Sequence, residues 1–448
     1  MVDVTVDTGK RCPCSSPEDD IAHSARIRYM KPVERRVLDS IDYASMYSFI
    51  EEMIATPSYG GKETKAQMKM AERLTQMGFN VDKWMIEFDE LREHPDFSMS
   101  YDREEGLGVV GTFGGEDGNS LIICGHIDTV APGNPENWET PPLKAVIKDD
   151  RLYGRGSTDM KAALIGALYA VKAVIDTVNP KGKIIFQSVI GEEDGGCGAL
   201  ATCLRGYKAD AGIVMEPSET KIAPEIAGAI SFKITVPGRA VHACVKNEGV
   251  SAIEKFIKLY EGLMELEKTR NNRFKDPLYT RYESPYAISI GTVKGGEWPG
   301  TVAESVVFEG RIGVAVGESE ESAKIELEAK INQIAEDDPW LREHNPKVEW
   351  AGYSFASSMI PLDHPIVQEI GKAYNDVTGD EPVYEGMTYA SDVRHLINVA
   401  ETPTTVFGPG DVRDAHGANE YVSIDQLETM VKTLALTVMR FIEYEEWA

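Results

Sequence analysis

Leu121-Ile122-Ile123-Cys124-Gly125-His126-Ile127-Asp128-Thr129-Val130 is the stretch on which the fold turns. Leu121 to Cys124 form an apolar run without polar alternation, as a strand buried on both faces does. The run stops at Gly125, and His126 and Asp128 follow one residue apart. In an open parallel sheet, ligands bind beyond the carboxyl ends of the strands. A His-x-Asp pair at such an end raises the question of whether other strands deliver matching groups to the same edge.

The segments that follow do. Lys183 to Ile190 reads as a strand that ends at Gly191-Glu192-Glu193-Asp194-Gly195-Gly196. Asp210 to Met215 reads as another, ending at Glu216-Pro217-Ser218-Glu219. Before them lies a tight, Gly-punctuated turn, Gly154-Arg155-Gly156-Ser157-Thr158-Asp159, and a helix that starts after Met160 with almost no polar face. A strand–helix–strand–helix–strand order predicts an α/β fold with a parallel sheet and right-handed crossovers. The Gly-rich turn lacks both the GK[ST] of a P-loop and the G-x-G-x-x-G of a dinucleotide fold, which argues against a nucleotide site.

Upstream, the apolar spacing from Val37 to Ile54 is helical. A second helix is expected from a Thr64-x-x-Gln67 capping box to Gly78. Strands are expected over Phe79–Ile86 and Gly108–Thr112, with a charged loop, Glu87 to Glu105, between them. Leu143 to Arg155 reads as a hairpin turning at Asp149-Asp150. After about Gly228 the character changes. Ile230 to Val236 alternates as a half-exposed strand does. A helix (Ser251–Lys268), two strands (Tyr286–Val293 and Ser305–Val314), a helix (Ser319–Glu336) and a strand near Val348–Ala351 complete a β-α-β-β-α-β order. That order predicts an inserted α+β unit. From about Ser357 the α/β character returns, with helices at Pro365–Val377, Asp392–Val399 and from Ile424, and strands at Pro382–Tyr384 and Thr404–Phe407. The expected division is an extension at 1–34, a catalytic domain from 35–227 and 354–448 with helices on both sheet faces, and an inserted lid and dimerisation domain at 228–353.

The chain has 448 residues, a length that favours two domains, and a formal net charge of -27. The charge argues against non-specific binding to nucleic acid or anionic membranes. Six cysteines do not make a disulfide framework, and Cys124, Cys197, Cys203 and Cys244 are expected reduced. Cys12-x-Cys14 is read as part of a polar tail, since no second cysteine pair follows nearby. The first twenty residues have no apolar core of a signal peptide, and no run reaches membrane-spanning length. A cytoplasmic protein is the expectation.

His126, Asp128, Asp159, Glu192, Glu193, Glu216 and His416 therefore gather at strand ends or in Gly-rich turns. Burying several carboxylates together costs several kcal/mol unless cations pair with them. Two histidines with three or more carboxylates suit zinc, cobalt or manganese, and more than four ligands suggest two ions sharing a carboxylate.

In sequence order GHIDTV, GRGSTDMKAA, GEEDGG, MEPSE, GRAVHA and GPGDVRDAHGANEYV resemble the M20 family of metallo-aminoacylases and metallopeptidases, which includes acetylornithine deacetylase, succinyl-diaminopimelate desuccinylase and several dipeptidases. The likeness runs from about residue 36 to the C-terminus. It implies His126 and Glu216 on one metal, Glu193 and His416 on the other, and Asp159 between them. It implies Asp128 as the acceptor that orients His126, and Glu192 as the general base toward water acidified by the metals. His242 would reach a neighbouring subunit's oxyanion in a homodimer, and Arg311 would bind a substrate carboxylate. Arg394 resembles part of a substrate pocket. One departure stands out, because Gly300 replaces the family's asparagine and removes an amide contact to substrate. The implied reaction is hydrolysis of an amide, first of an N-acyl amino acid. The alternatives are a dipeptide, another C–N bond such as that of a formyl-aminopyrimidine or aromatic amine, and a non-catalytic metal-binding scaffold.

Overall fold

The computed structural model describes residues 30–447. The chain opens with helices α1 (Pro32–Asp39), α2 (Tyr43–Ile54) and α3 (Thr64–Gln76), followed by strands β1 (Asn80–Met85), β2 (Leu107–Gly114) and β3 (Leu121–His126). A hairpin, β4 (Val146–Lys148) and β5 (Arg151–Tyr153), leads into α4 (Lys161–Thr177), β6 (Lys183–Val189), α5 (Cys197–Leu204) and β7 (Ala211–Val214). The middle of the chain holds β8 (Gly228–Pro237), α6 (Ala252–Arg273), β9 (Ile288–Gly295), β10 (Ser305–Val314), α7 (Glu320–Glu336) and β11 (Lys347–Phe355). The last part contributes α8 (Pro365–Thr378), α9 (Val393–Asn398), β12 (Thr404–Val406), β13 (Tyr421–Ser423) and α10 (Ile424–Phe441).

The main sheet runs β1-β2-β6-β3-β7-β12. Its four strands β6, β3, β7 and β12 are mutually parallel, while β2 and β1 extend it antiparallel at one edge. All six residues of β3 are buried, which explains the unbroken apolar run. Gly125 packs closely, since a Cβ there would lie 2.8 Å from Met160 Cε and 3.0 Å from Leu164 Cδ1 and would push those side chains aside. Helices α3 and α4 cover one sheet face, and α5 and α9 cover the other. The middle segment forms its own antiparallel sheet, β9-β10-β8-β11, packed on α6 and α7. Its apolar core, built on residues such as Phe232, Leu263, Phe308 and Leu327, is separate from that of the main sheet.

Several local expectations are corrected. The helix expected over Val37–Ile54 is two helices, because the Asp42 side chain caps α2 by accepting from Ser45 N–H at 3.0 Å. The Thr64/Gln67 capping box does not form. Gln67 is buried and donates instead to the carbonyls of Leu107 (3.1 Å) and Ser188 (2.7 Å), pinning α3 to the sheet. Pro382–Tyr384 is not a strand and makes only an isolated bridge, Ile222 to Tyr384. Helix α1 begins inside the expected extension and buries Val33 and Val37. Cys12 and Cys14 lie outside the described residues. The Asp149-Asp150 turn does form, with φ of 52° and 60° at its two residues. Among the described residues no helix is long and apolar enough to cross a membrane.

In the middle segment Arg270 is fully buried and donates to Glu318 at 2.7 and 2.9 Å and to the Gly313 carbonyl at 2.8 Å. Replacing Arg270 by leucine strands the Glu318 carboxylate in the interior and should lower unfolding free energy by about 3–5 kcal/mol. Urea denaturation followed by circular dichroism measures this; an unchanged midpoint would contradict it.

Candidate metal centre

The carboxyl ends of the four parallel strands face one place. β3 ends in His126, β7 leads to Glu216, β6 leads through Gly191 to Glu192 and Glu193, and β12 leads into the loop that carries His416. Gly191 (φ 69°) and Gly196 (φ 77°) sit in the left-handed region, so the glutamate turn between them reverses sharply. A Cβ on Gly191 would also lie 2.7 Å from Cys197 Sγ. Asp159 comes from the turn before α4, and its bond to Met160 is cis.

Two groups of side chains could each hold a cation: His126, Asp159 and Glu216, and Asp159, Glu193 and His416. Within each group the ligand atoms lie within 4.8 Å of one another, and Asp159 belongs to both. His126 Nε2 is 2.9 Å from Asp159 Oδ1 and 3.9 Å from Glu216 Oε1. His416 Nε2 is 3.3 Å from Asp159 Oδ2 and 2.9 Å from Glu193 Oε2. The nearest acceptor to His126 Nδ1 is the backbone carbonyl of Asp128 at 3.0 Å, and the Asp128 carboxylate stands farther off at 3.6 Å. That carboxylate instead accepts from Glu193 N–H at 3.1 Å, tying the glutamate turn to the histidine strand.

The electrostatics fit cations. Glu192 and Glu216 are pushed well above the usual carboxylate range, first by burial and then by neighbouring carboxylates. Glu193 is raised by burial and by Asp159. Burial acts to raise Asp159 as well, but hydrogen bonds from His126 and His416 overcome it and leave Asp159 lowered. His416 is raised to about 10 by its bonds to Asp159 and Glu193. Among the described residues no lysine or arginine pairs with Asp159, Glu192, Glu193 or Glu216. The donor set, two imidazoles and at least three carboxylates, matches borderline divalent ions.

The remaining expected residues lie elsewhere. Exposed His242 caps a short turn by accepting from Cys244 N–H at 3.2 Å, and no contact joins it to the carboxylate cluster. The loop carrying Gly300 lies beside it, since Ala243 N–H donates to the Gly300 carbonyl. Arg311, on β10, reaches across to donate to the Thr388 carbonyl at 3.3 Å. Arg394, expected in a substrate pocket, is held by the fold. Its guanidinium is buried, donates to the carbonyls of Ser354 (2.5 Å) and Gly195 (2.7 Å), and lies 3.9 Å over the Phe355 ring. It supports the glutamate turn from behind.

One support is not marked by the sequence. Arg103, within the loop read as charged and solvated, is buried and bridges Asp194 (2.8 Å) and Glu63 (2.9 Å). Asp194 also accepts from Tyr101 N–H at 2.9 Å, so this loop clamps the end of the glutamate turn. Nothing in the spacing marks Arg103, because a lone arginine in a charged run reads as solvated. Asp392 is buried near Gly196, and burial raises it to about 7.

Residues 122–440 match peptidase family M20/M25/M40. The chain belongs to that family. This M20 chain is 32% identical, over 413 residues, to N-formyl-4-amino-5-aminomethyl-2-methylpyrimidine deformylase of Halalkalibacterium halodurans, covering 87% of this chain and 92% of the relative. Aminopeptidase PepT of Bacillus cereus shares its fold at a TM-score of 0.67 and 20% identity, covering 90% of this chain and 99% of that one. A Bacillus subtilis M20 protein described as a dinuclear metal binding peptidase superposes at a TM-score of 0.57 and 15% identity, over 89% and 98%. The M20 chain is a metal-dependent hydrolase of C–N bonds, with a mixed α/β fold and residues suited to two metals.

In the metal-free M20 chain, His416 has a folded pKa raised above its unfolded value of about 6.5. Its stabilising contribution is therefore complete below pH ~6.5 and is lost as pH rises through the folded value. The gap in denaturation midpoint between the metal-free protein and its His416→Ala variant should be widest at pH 6 and close toward pH 10. A gap that widens with pH would refute this.

Proposed function

We propose that the protein is a two-metal deacylase that hydrolyses the amide of an N-acylated amine. The observation that carries this reading is the pair of ligand groups sharing Asp159, with Glu192 beside them. In it, His126, Asp159 and Glu216 hold one divalent ion, and Asp159, Glu193 and His416 hold the other. Zinc suits the imidazole and carboxylate donors best, with cobalt and manganese as alternatives. Two such ions, when bound, supply Lewis-acid polarisation of a carbonyl and acidification of water.

The chain's own residues do the rest. The Asp128 backbone carbonyl fixes the His126 ring so that Nε2 faces Asp159, while the Asp128 carboxylate holds the Glu193 backbone. The Glu192 side chain has no hydrogen-bond or ion-pair partner among the described residues, and burial and neighbouring charge raise its proton affinity. It suits a group that takes a proton from the attacking water and delivers it to the leaving nitrogen. The products are a carboxylate and an amine. Substituting Glu192→Gln should abolish turnover while leaving about two metals per chain by elemental analysis. Activity that survives exhaustive chelation would sink the metal mechanism.

For the substrate, Arg311 favours an amine that carries a carboxylate, as in an N-acyl amino acid. The similarity to a formyl-aminopyrimidine deformylase favours a second reading, a formyl group on an aminomethylpyrimidine. A panel of N-acetyl, N-formyl and N-succinyl amino acids, dipeptides and N-formyl aminopyrimidines separates them. Turnover of dipeptides alone would overturn the deacylase reading.

We also infer that residues 228–353 act as a lid and dimerisation domain, with His242 serving the partner copy's oxyanion. Ile253, Ile257 and Tyr260 make an exposed apolar stripe at helical spacing on α6, and β9 is an exposed edge strand. Unpaired edges and such stripes invite a second copy. Light scattering should give a dimer, and Ile257→Asp with Val293→Asp should give a monomer of much reduced activity. A fully active monomer would remove the role of His242 across the interface.

A further inference from the structure

Asp159 and His416 each stand four residues from a member of one buried ion pair, Arg155 and Glu420. Both side chains are almost fully buried. Glu420 Oε1 accepts from the backbone N–H of Thr158 (2.9 Å) and of Asp159 itself (3.2 Å). Glu420 Oε2 accepts from Arg155 Nη1 at 2.5 Å. Arg155 Nη2 then donates to the backbone carbonyls of His416 (3.3 Å) and Gly417 (3.0 Å). The backbones are stitched as well: Gly154 N–H donates to the Glu420 carbonyl at 3.0 Å, and Thr158 Oγ1 donates to Tyr421 O.

The asymmetry of support is the informative part. His126 sits at the end of a strand paired on both sides. His416 sits in a loop, half-exposed and with a left-handed φ of 61°. Among the described residues, Arg155 is the only side chain hydrogen-bonded to the backbone of residues 415 to 418. The carboxylate that fixes Asp159 therefore also fixes the arginine that fixes His416. A buried ion pair adds little net stability compared with apolar packing. What it supplies here is directional: four donor–acceptor contacts to two different loops.

We propose that Arg155 and Glu420 are positioning residues that set the spacing of Asp159 and His416, and thereby the affinity for the cation held by Asp159, Glu193 and His416. This rests on the two-metal reading. The pair touches neither substrate nor reacting atoms. Its loss acts on one of the two ions, because the His126 and Glu216 side is held by the sheet.

Calorimetric titration of the metal-stripped full-length protein with Zn²⁺ tests this. Glu420→Gln keeps an oxygen for the two N–H groups but removes the charge opposite Arg155. Arg155→Lys keeps the charge but not the fork that reaches both carbonyls. The wild type should bind two equivalents. Each variant, checked for folding by circular dichroism, should bind the first equivalent as the wild type does and the second at least about tenfold more weakly. Arg270→Leu, which weakens the fold far from the centre, should keep both equivalents unchanged. Wild-type affinity for the second equivalent in both folded variants overturns the inference alone, as does its equal loss in Arg270→Leu. A wild type that binds no zinc overturns the two-metal reading and the inference with it.

Discussion

Asp159, Glu192, Glu193 and Glu216 are crowded at the carboxyl edge of the main sheet, and that crowding is the constraint the architecture answers to. Burial and mutual repulsion raise three of the four carboxylates, and only the histidines relieve Asp159. Such an arrangement is unfavourable unless cations compensate it. The parallel strands, the left-handed glycines and the buried arginines can all be understood as the means of holding it in place. Arg103, Arg155 and Arg394 do not neutralise the cluster. Each grips the backbone or a carboxylate one step behind it.

Much of this was legible in the chain because the sheet is parallel. Parallel strands bury both faces, so Leu121–Cys124 and Ala211–Val214 announce themselves by apolar continuity, and the polar residue that follows marks the edge. The β-α-β-β-α-β order of the middle segment was readable for a related reason: β8 alternates buried and half-buried residues with period two. The candidate ligand residues stand out because they interrupt these patterns. The M20 resemblance then joined them into one site.

What stayed hidden are residues whose partners are remote in sequence. Gln67 looked like a cap and is a sheet anchor, because its partners Leu107 and Ser188 cannot be inferred from local spacing. Arg103 reads as solvated for the same reason. The break between α1 and α2 was missed because a helical apolar pattern continues across Ser40–Asp42, although one aspartate cap suffices to end it. The roles expected of His242 and Arg311 rest on the resemblance alone; no periodicity distinguishes a surface histidine from one that serves a second copy.

The middle segment enters and leaves the main body on neighbouring strands, with Ala229 opposite Phe355. For the nascent chain this geometry is kinetic. The polypeptide that builds β7 and the polypeptide that builds β12 are separated by the whole detour, and β12 must still find β7 for the centre to form. An unfolded detour of that length carries a loop-closure entropy that opposes the pairing. Once β8 and β11 pair, its two ends stand about 5 Å apart, one strand spacing. Pairing of β8 with β11 thus spares the host most of the loop-closure cost of bringing β12 to β7.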